Sequence, residues 1–562
     1  MGTKIIKGLL VLALLLSPSI CFAEHIVRVG ITDNTFQKVK HNDVRIYATS
    51  EYLICDKNTK QVIAKIPSSK PIRIIHEEDS FLVNVDNERT LVLGAFVVVS
   101  EKGLLGIQGL NRAGKPALYH GALEFCKTKS KDGFYIINII ELQEYLKGVV
   151  PNEMPVRFGL EALKAQTVAA RNYVLAPRVK AYEEFDVVDS VASQVYFGAN
   201  TEDPLASTAV DETNGQVVIH NGELILALYS STAGGYSESY SKAFSDKYQF
   251  PAEEKPYLVA KPDMLTFVPM NDEENARKFF TSIPSAYDMD SPYFRWKKTW
   301  TKTEFEKAIN INLKTLASTG FITPPPQEIK NIKDIQVLKR GDSGKIMELM
   351  ITTQNGNYLV RKELIIRKLF INEGKILPSA NFVLDITRDE ITGEITEIVA
   401  FGGGYGHGVG MSQYGAGFMG TKLNKSYQEI LKHYYTGVSI TTNPVIIKDS
   451  EIKQEFYTKD KKGILVIDNF EHAKTFPIRV NGLLIEIELN NGFMTKLQEY
   501  DISKYLVEGD NEIIFYPTVG KKIIKSYINL ENTEPVQLEP VQPELVEQPA
   551  EAFEPIEQEE IE

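Results

Sequence analysis

Two stretches of this 562-residue chain place side chains where chemistry could be done. The first, VVPNEMPVRFGLEALKAQTVAARNY, runs from Val149 to Tyr173. Pro151 and Pro155 restrict the backbone on both sides of Glu153, so one carboxylate is held on a stiff turn just ahead of a helix. A fixed carboxylate suits general acid/base work, where position comes before acidity. A helix N-terminus favours the ionised form, whereas a general acid must keep its proton near neutral pH, so desolvation would have to compensate. The same spacing allows a plainer role, with Glu153 simply capping the helix. The second stretch, GGGYGHGVGMSQYGAG, runs from Gly402 to Gly417. Its glycines let backbone approach a ligand closely, with His407, Ser412, Gln413 and Tyr414 as polar or stacking groups among them. No lysine follows the glycines as a phosphate loop requires, and neither the spacing nor a later acidic partner supports a dinucleotide site.

The elements that must position these residues are mostly strands. From His25 to about Phe134, short β-branched runs such as HIVRVGI, DVRIYA and LVLGAFVVVS alternate with turns. FYIINII reads as a strand, ELQEYLKGVV as a short helix with a strand-like end, and GLEALKAQTVAARNYVLA as a strong helix. Residues 258–330 mix loops, an aromatic cluster and a helix opening at Thr301 or Thr303. Strands return from Ile332 to Ile386, and the glycine-rich stretch leads into a helix around SYQEILKHYYTG. Segregated helices among antiparallel-looking strands predict an α+β fold. Beyond Thr442 five strand candidates, with turn signals at Asn490-Asn491-Gly492 and Gly509-Asp510-Asn511, suit a small β-sandwich. The expected organisation is a signal segment (1–23), a body (24–442), a β-sandwich accessory domain (443–530) and a disordered acidic tail (531–562). The body divides into a β-rich N-terminal part (24–118), a catalytic region (119–258), an insert (259–330) and a C-terminal part carrying the glycine-rich loop (331–442).

Charge and cysteines bound the partners and the compartment. The eleven glutamates from Glu531 to Glu562 account for all but one of the net −12 charge, so the rest of the chain is nearly neutral. A near-neutral body argues against nucleic acid as a partner, because neutralising phosphates needs a clustered basic surface. With 43% apolar residues the body can bury sizeable cores. Lys4 and Lys7, the apolar run Gly8–Leu16 and the small residues Cys21 and Ala23 read as a cleavable export signal, and no later segment could span a membrane. Export leaves Cys55 and Cys126, which could form one bridge, and no Cys or His spacing suggests a metal site.

Taken together, the motifs resemble the stage II sporulation protein D family, also called the amidase-enhancer or SpoIID/LytB family. The likeness runs in order through YHGALEF (119–125), ELQEYLKGVVPNEMP with GLEALKAQTVAAR, SQVYFG (193–198), ETNGQVV (212–218), ALYSSTAGGYSES (227–239), GKIMELMI (344–351) and GHGVGMSQYGAG running into EILKHYYTG (429–437). It covers roughly residues 25–440. The resemblance implies peptidoglycan chemistry outside the cytoplasm: a lytic transglycosylase acting on glycan strands that have lost their stem peptides, with Glu153 as its catalytic glutamate. It implies cleft roles for Gln194, Tyr196, Ser231, Glu238, His407, Gln413 and Tyr414, with stacking by Tyr196 or Tyr414, hydrogen bonds from Gln194 or Gln413, and Glu238 as the second-choice carboxylate. The alternative is a glycan-binding protein without activity that stimulates an N-acetylmuramoyl amidase. Some sporulation members carry Cys and His just before the SQVY segment and bind zinc there. Residues 186–198 here hold neither, so no zinc and no cofactor are expected.

Overall fold

The computed structural model describes residues 25–177, 182–247, 249–264, 269–325, 331–490 and 497–531. The expected signal segment and all of the acidic tail but Glu531 lie outside the described residues. The fold is mixed and β-rich, and among the described residues all but two of the strand ladders are antiparallel. No described helix is long and apolar enough to cross a membrane.

Residues 26–141 build two sheets that share one core. One runs from Ile26–Gly30 through Phe134–Glu141, Ala122–Lys127, Phe96–Val99 and Tyr52–Asp56 to Val62–Ile66. The other runs from Lys115–Tyr119 through Leu105–Arg112, Asp43–Ala48, Ile72–His76 and Ser80–Val85 to Glu88–Leu93. Alternation drives the packing: in Ile72–His76, Ile72 and Ile74 are buried while Arg73 faces water. The Phe81 ring meets Phe96 edge-on at 5.1 Å, and Phe96 stacks on Phe125 at 4.9 Å, so aromatic rings fill the space between the sheets. Cys55 and Cys126 are free. The strand Phe96–Val99 lies between theirs, which puts them two strand spacings apart, about 9–10 Å and beyond disulfide reach.

Three helices follow the first sheet: α1 (Leu142–Lys147), the single turn α2 (Val150–Glu153) and α3 (Leu160–Leu175). Every residue of α3 from Ala162 to Asn172 is buried, so this helix is enclosed on all sides rather than laid on a surface. Two of its polar side chains bond inward. Arg171 donates to the Gln216 carbonyl (3.0 Å) and to Gln143 (2.9 Å), and Asn172 donates to the Val218 carbonyl (2.7 Å) and accepts from its N–H (2.7 Å). One neighbour of α3 is the helix Gln413–Lys422, which the glycine-rich stretch disguises in the sequence. A Cβ at Gly417 would lie 2.7 Å from the Phe158 ring, and one at Gly415 would collide with the Tyr434 hydroxyl, so these glycines permit close packing.

The predicted insert does not stand apart. Its strand Trp296–Thr301 pairs with Ile395–Gly402, and the helix Lys302–Leu316 opens on a capping box of Thr301 and Glu304. Together with strands Ile332–Arg340 and Ile346–Thr353 they enclose a second core around Trp300, Phe305, Ile309 and Phe370. The C-terminal strands form two sheets around a third core. FPIRVNGLLIEIEL is a hairpin, Thr475–Val480 against Leu483–Glu488, turning at Asn481 and Gly482. Gly509, read as part of a turn, opens the strand Gly509–Phe515, and Asn491-Gly492 lie outside the described residues. One of these sheets continues into the body: Ile524–Asn529 pairs with Ser439–Thr442, which pairs with Gln216–His220.

The segment after α3 is tied to the second of the two N-terminal sheets by a buried ion pair. Asp189 accepts from Arg112 Nη2 (2.6 Å) and from the Thr32 N–H (3.0 Å) and hydroxyl (2.6 Å), and both charged side chains are at most 1% exposed. Asp189→Ala strands the guanidinium without its counter-charge, and the expected loss is about 3–5 kcal/mol in denaturant unfolding.

Candidate active site

Glu153 ends α2, six residues before the Gly159 that precedes α3, so it does not cap the long helix. Between them Met154 is extended, and Pro155 opens a 3-10 turn over Val156–Phe158. Pro151 sits in the first turn of α2, where its missing N–H costs nothing. Glu153 as a whole is half-buried, and its carboxyl is enclosed by protein. It accepts the Val195 N–H at 2.5 Å, and the Gln413 amide also donates to it. Burial outweighs these two donors and pushes the carboxyl up to about 7.

The two stretches read from the sequence therefore meet at this carboxyl. Gln413 is the first residue of its helix, and its Nε2 donates to Gln166 Oε1 in α3 at 3.3 Å. Gln166 is fully buried, and its own Nε2 has no hydrogen-bond partner among the described residues. Tyr414 packs edge-on against Phe158 at 4.8 Å, and its hydroxyl accepts from the exposed Arg157 at 3.4 Å. Ser231, half-buried, accepts the Tyr414 N–H on its carbonyl, so backbone joins the ALYSS and SQYG motifs.

Other expected cleft residues face inward. Gln194 is fully buried and accepts from the Tyr145 hydroxyl (3.0 Å) while donating to the Ala170 carbonyl (3.2 Å) and the Tyr229 hydroxyl (2.9 Å). Its amide is spent on holding Val195 in place and is not offered to a sugar. Tyr196 is 1% exposed, packs on Tyr145 and donates to Asn138 Oδ1 (2.7 Å), so its ring belongs to the core and gives no stacking face. Glu238, the second-choice carboxylate, is also fully buried. It accepts from the Ser343 hydroxyl (2.7 Å) and N–H (3.1 Å), the Asp342 N–H (3.3 Å) and the Ser239 N–H (2.9 Å), which makes it an anchor for the 341–343 turn. His407 Nδ1 accepts the Val409 N–H at 3.0 Å, which puts its proton on Nε2. Burial, with Lys345 and Arg367 nearby, pushes its pKa down to about 3, so the ring stays neutral at working pH.

Gln166, Tyr229 and Arg157 join the site without having been singled out in the sequence. Gln166 carried a signal, as a polar residue in the middle of a helix otherwise rich in alanine and leucine. Tyr229 lay in a quoted motif, two residues before Ser231. Among the described residues, one mixed group elsewhere could hold a metal: His120, Glu144 and Glu202 bring three ligand atoms within 4.8 Å of one another. Lys147 also contacts Glu144 at 3.1 Å, and hydrogen bonding to Glu202 raises the His120 pKa, so the group is equally complete as an ion-pair network.

A family model described as stage II sporulation protein matches residues 130–220, which hold Glu153 and Val195. A second, described as a domain of unknown function (DUF8618), matches residues 242–410. Stage II sporulation protein D of Bacillus subtilis (strain 168) is 30% identical over 320 residues, which cover 54% of this chain and 75% of that protein. The chain belongs to the stage II sporulation protein D family. It is also 30% identical over 309 residues to the amidase enhancer of the same organism, a match covering 53% of this chain but only 40% of that relative's length. An uncharacterized protein of Brachyspira hyodysenteriae is 27% identical over 336 residues, covering 59% of this chain and 75% of that protein.

Two outcomes follow from the carboxyl's surroundings. An unfolded glutamate ionises near 4.5 and the folded one near 7, so rising pH costs the folded state stability between those values and nothing further above them. Glu153→Gln removes the titration, and its melting temperature should exceed that of the wild type at about pH 8, with the gap closing at about pH 4. Gln413→Leu removes a donor to the ionised form, so the Glu153 pKa should rise above its wild-type value in a carboxyl-carbon NMR titration.

Proposed function

We propose that this chain is an exported lytic transglycosylase that cleaves peptidoglycan glycan strands lacking stem peptides, with Glu153 as general acid and base. The observation that carries this reading is a single carboxyl whose pKa burial raises to about 7, oriented by one backbone donor and one amide, on a residue that is only partly buried. Membership of the family supports a role at the cell wall.

The chemistry requires one carboxyl group. Protonated Glu153 donates to the glycosidic oxygen between N-acetylmuramic acid and N-acetylglucosamine, and the C1–O bond breaks through an oxocarbenium-like state. The glucosamine leaves with that proton as its free 4-hydroxyl. The Glu153 carboxylate then takes the proton of the muramic acid C6 hydroxyl as that oxygen bonds to C1, closing a 1,6-anhydro ring and restoring the acid. No water is consumed, and intramolecular attack supplies the proximity that a second carboxylate would otherwise arrange. The Val195 N–H and the Gln413 amide stabilise the carboxylate formed between the two proton transfers.

The similarity to an amidase enhancer favours a second reading, in which the cleft binds glycan and the chain stimulates an N-acetylmuramoyl amidase. Amidase-treated peptidoglycan incubated with the purified chain and analysed by mass spectrometry separates the two. Catalysis predicts anhydromuramic ends that fall about 100-fold or more in Glu153→Gln. Absence of such ends with the wild-type chain would sink it, and retained glycan binding would then support the second reading.

A further inference from the structure

A cavity of about 340 Å³ lies between the turn Asp33–Lys38 and the segment that leads to Val195. Phe36 and Gln37 line one side, Tyr173 and Tyr182 line others, and Ser190 and Ser193 bring hydroxyls to it. Tyr182 stacks on Phe185 at 4.7 Å, which stiffens that wall. The Ser193 hydroxyl accepts the Val188 N–H at 3.2 Å, which leaves its own proton free to be donated.

Phe36 is the unusual member. It is 37% exposed and its φ is +59°, a left-handed conformation that is strained for a bulky residue. The surroundings enforce it. Asp33 Oδ1 accepts from the Thr35 N–H (3.1 Å) and hydroxyl (2.7 Å) and from the N–H groups of Gln37 and Lys38 (both 3.3 Å). The ring is gripped by Phe197, stacked at 5.7 Å, and by the Arg112 guanidinium 4.5 Å from its centroid. Strain of about 1–3 kcal/mol persists only where other contacts over-determine it, and such residues cluster at binding sites. Phe197 and Val195 belong to one short segment, so the wall that grips Phe36 also carries the N–H that holds the Glu153 carboxyl.

We propose that this cavity is a saccharide subsite, taking an uncharged N-acetylhexosamine ring of the glycan strand against Phe36 and Tyr182 on the Val195 side of the catalytic carboxyl. The inference rests on the proposed glycan substrate. Aromatic faces beside hydroxyl donors match a sugar ring, whose C–H face is apolar and whose rim is polar. The neutral side chains along most of the wall disfavour a phosphate or a nucleic acid.

The test is binding of a β-1,4-linked N-acetylglucosamine hexasaccharide, followed by calorimetry in the Glu153→Gln background so that turnover plays no part. Phe36→Gly removes the ring along with its contacts to Phe197 and Arg112, so affinity should fall about fivefold or more while the melting transition still shows a folded protein at the assay temperature. Tyr182→Ala should weaken binding likewise. Unchanged affinity in both variants, or no measurable binding of the hexasaccharide by the parent protein, would overturn the subsite. Ring-dependent binding without anhydromuramic products from the Glu153-containing chain would leave the subsite standing and remove the catalytic reading; products with ring-independent binding would do the reverse.

Discussion

One hydrogen bond, from the Val195 N–H to the Glu153 carboxyl, is the constraint on which the site depends. It joins segments that are neighbours only in the fold, and much of the surrounding structure serves to keep its donor still. Gln194 is locked by three internal hydrogen bonds, the Phe197 N–H donates to the Gly148 carbonyl at 3.2 Å, and Asp189 pins the start of the same segment through Arg112. The number of donors matters as much as their placement. Glu238 is more deeply buried, but four donors from Ser239, Asp342 and Ser343 occupy its oxygens and leave nothing for a substrate. Glu153 has one backbone donor and one amide, enough to orient it and too few to force it to ionise.

Local patterns made much of the fold legible. Alternating burial in the N-terminal strands, the long helix, the capping box at Thr301 and the β-rich C-terminal region follow from period, cap and turn chemistry that a short window of sequence contains. The helix Gln413–Lys422 was hidden because its glycines are there for contact with Phe158 and Tyr434, and propensity alone reads them as loop. In the site, Glu153 and Gln413 stood out because prolines and glycines mark unusual backbone, but neither stretch showed that the two side chains meet. The inward roles of Gln194, Tyr196 and Glu238 could not, since each is decided by partners 24 to 105 residues away, such as Asn138 and Ser343. A polar residue in a motif looks the same on paper whether it meets a ligand or its own core.

The region from 242 to 410 also reaches back to shape an earlier motif of the body. Asp288 Oδ2 accepts from the Thr232 hydroxyl and from the Gly234 and Gly235 N–H groups, which fixes the turn of the STAGG motif. Burial, with Asp263 close by, pushes the Asp288 carboxyl up to about 6. Arg295 closes the turn from the other side by donating to the Gly234 carbonyl at 3.0 Å. The positive φ values of Gly234 and Gly235 are thus held by residues that the motif itself does not contain.

The sheet that runs from Gln216–His220 through Ser439–Thr442 to Ile524–Asn529 has a mechanical consequence. Inter-strand hydrogen bonds, and the Gln216 side chain donating to the Tyr457 carbonyl at 2.9 Å, leave no free pivot between the body and the C-terminal sheets. A module on a flexible leash would search a volume around the body. This one keeps a constant bearing toward Glu153, so anything it touches is met at a set orientation and distance from that carboxyl.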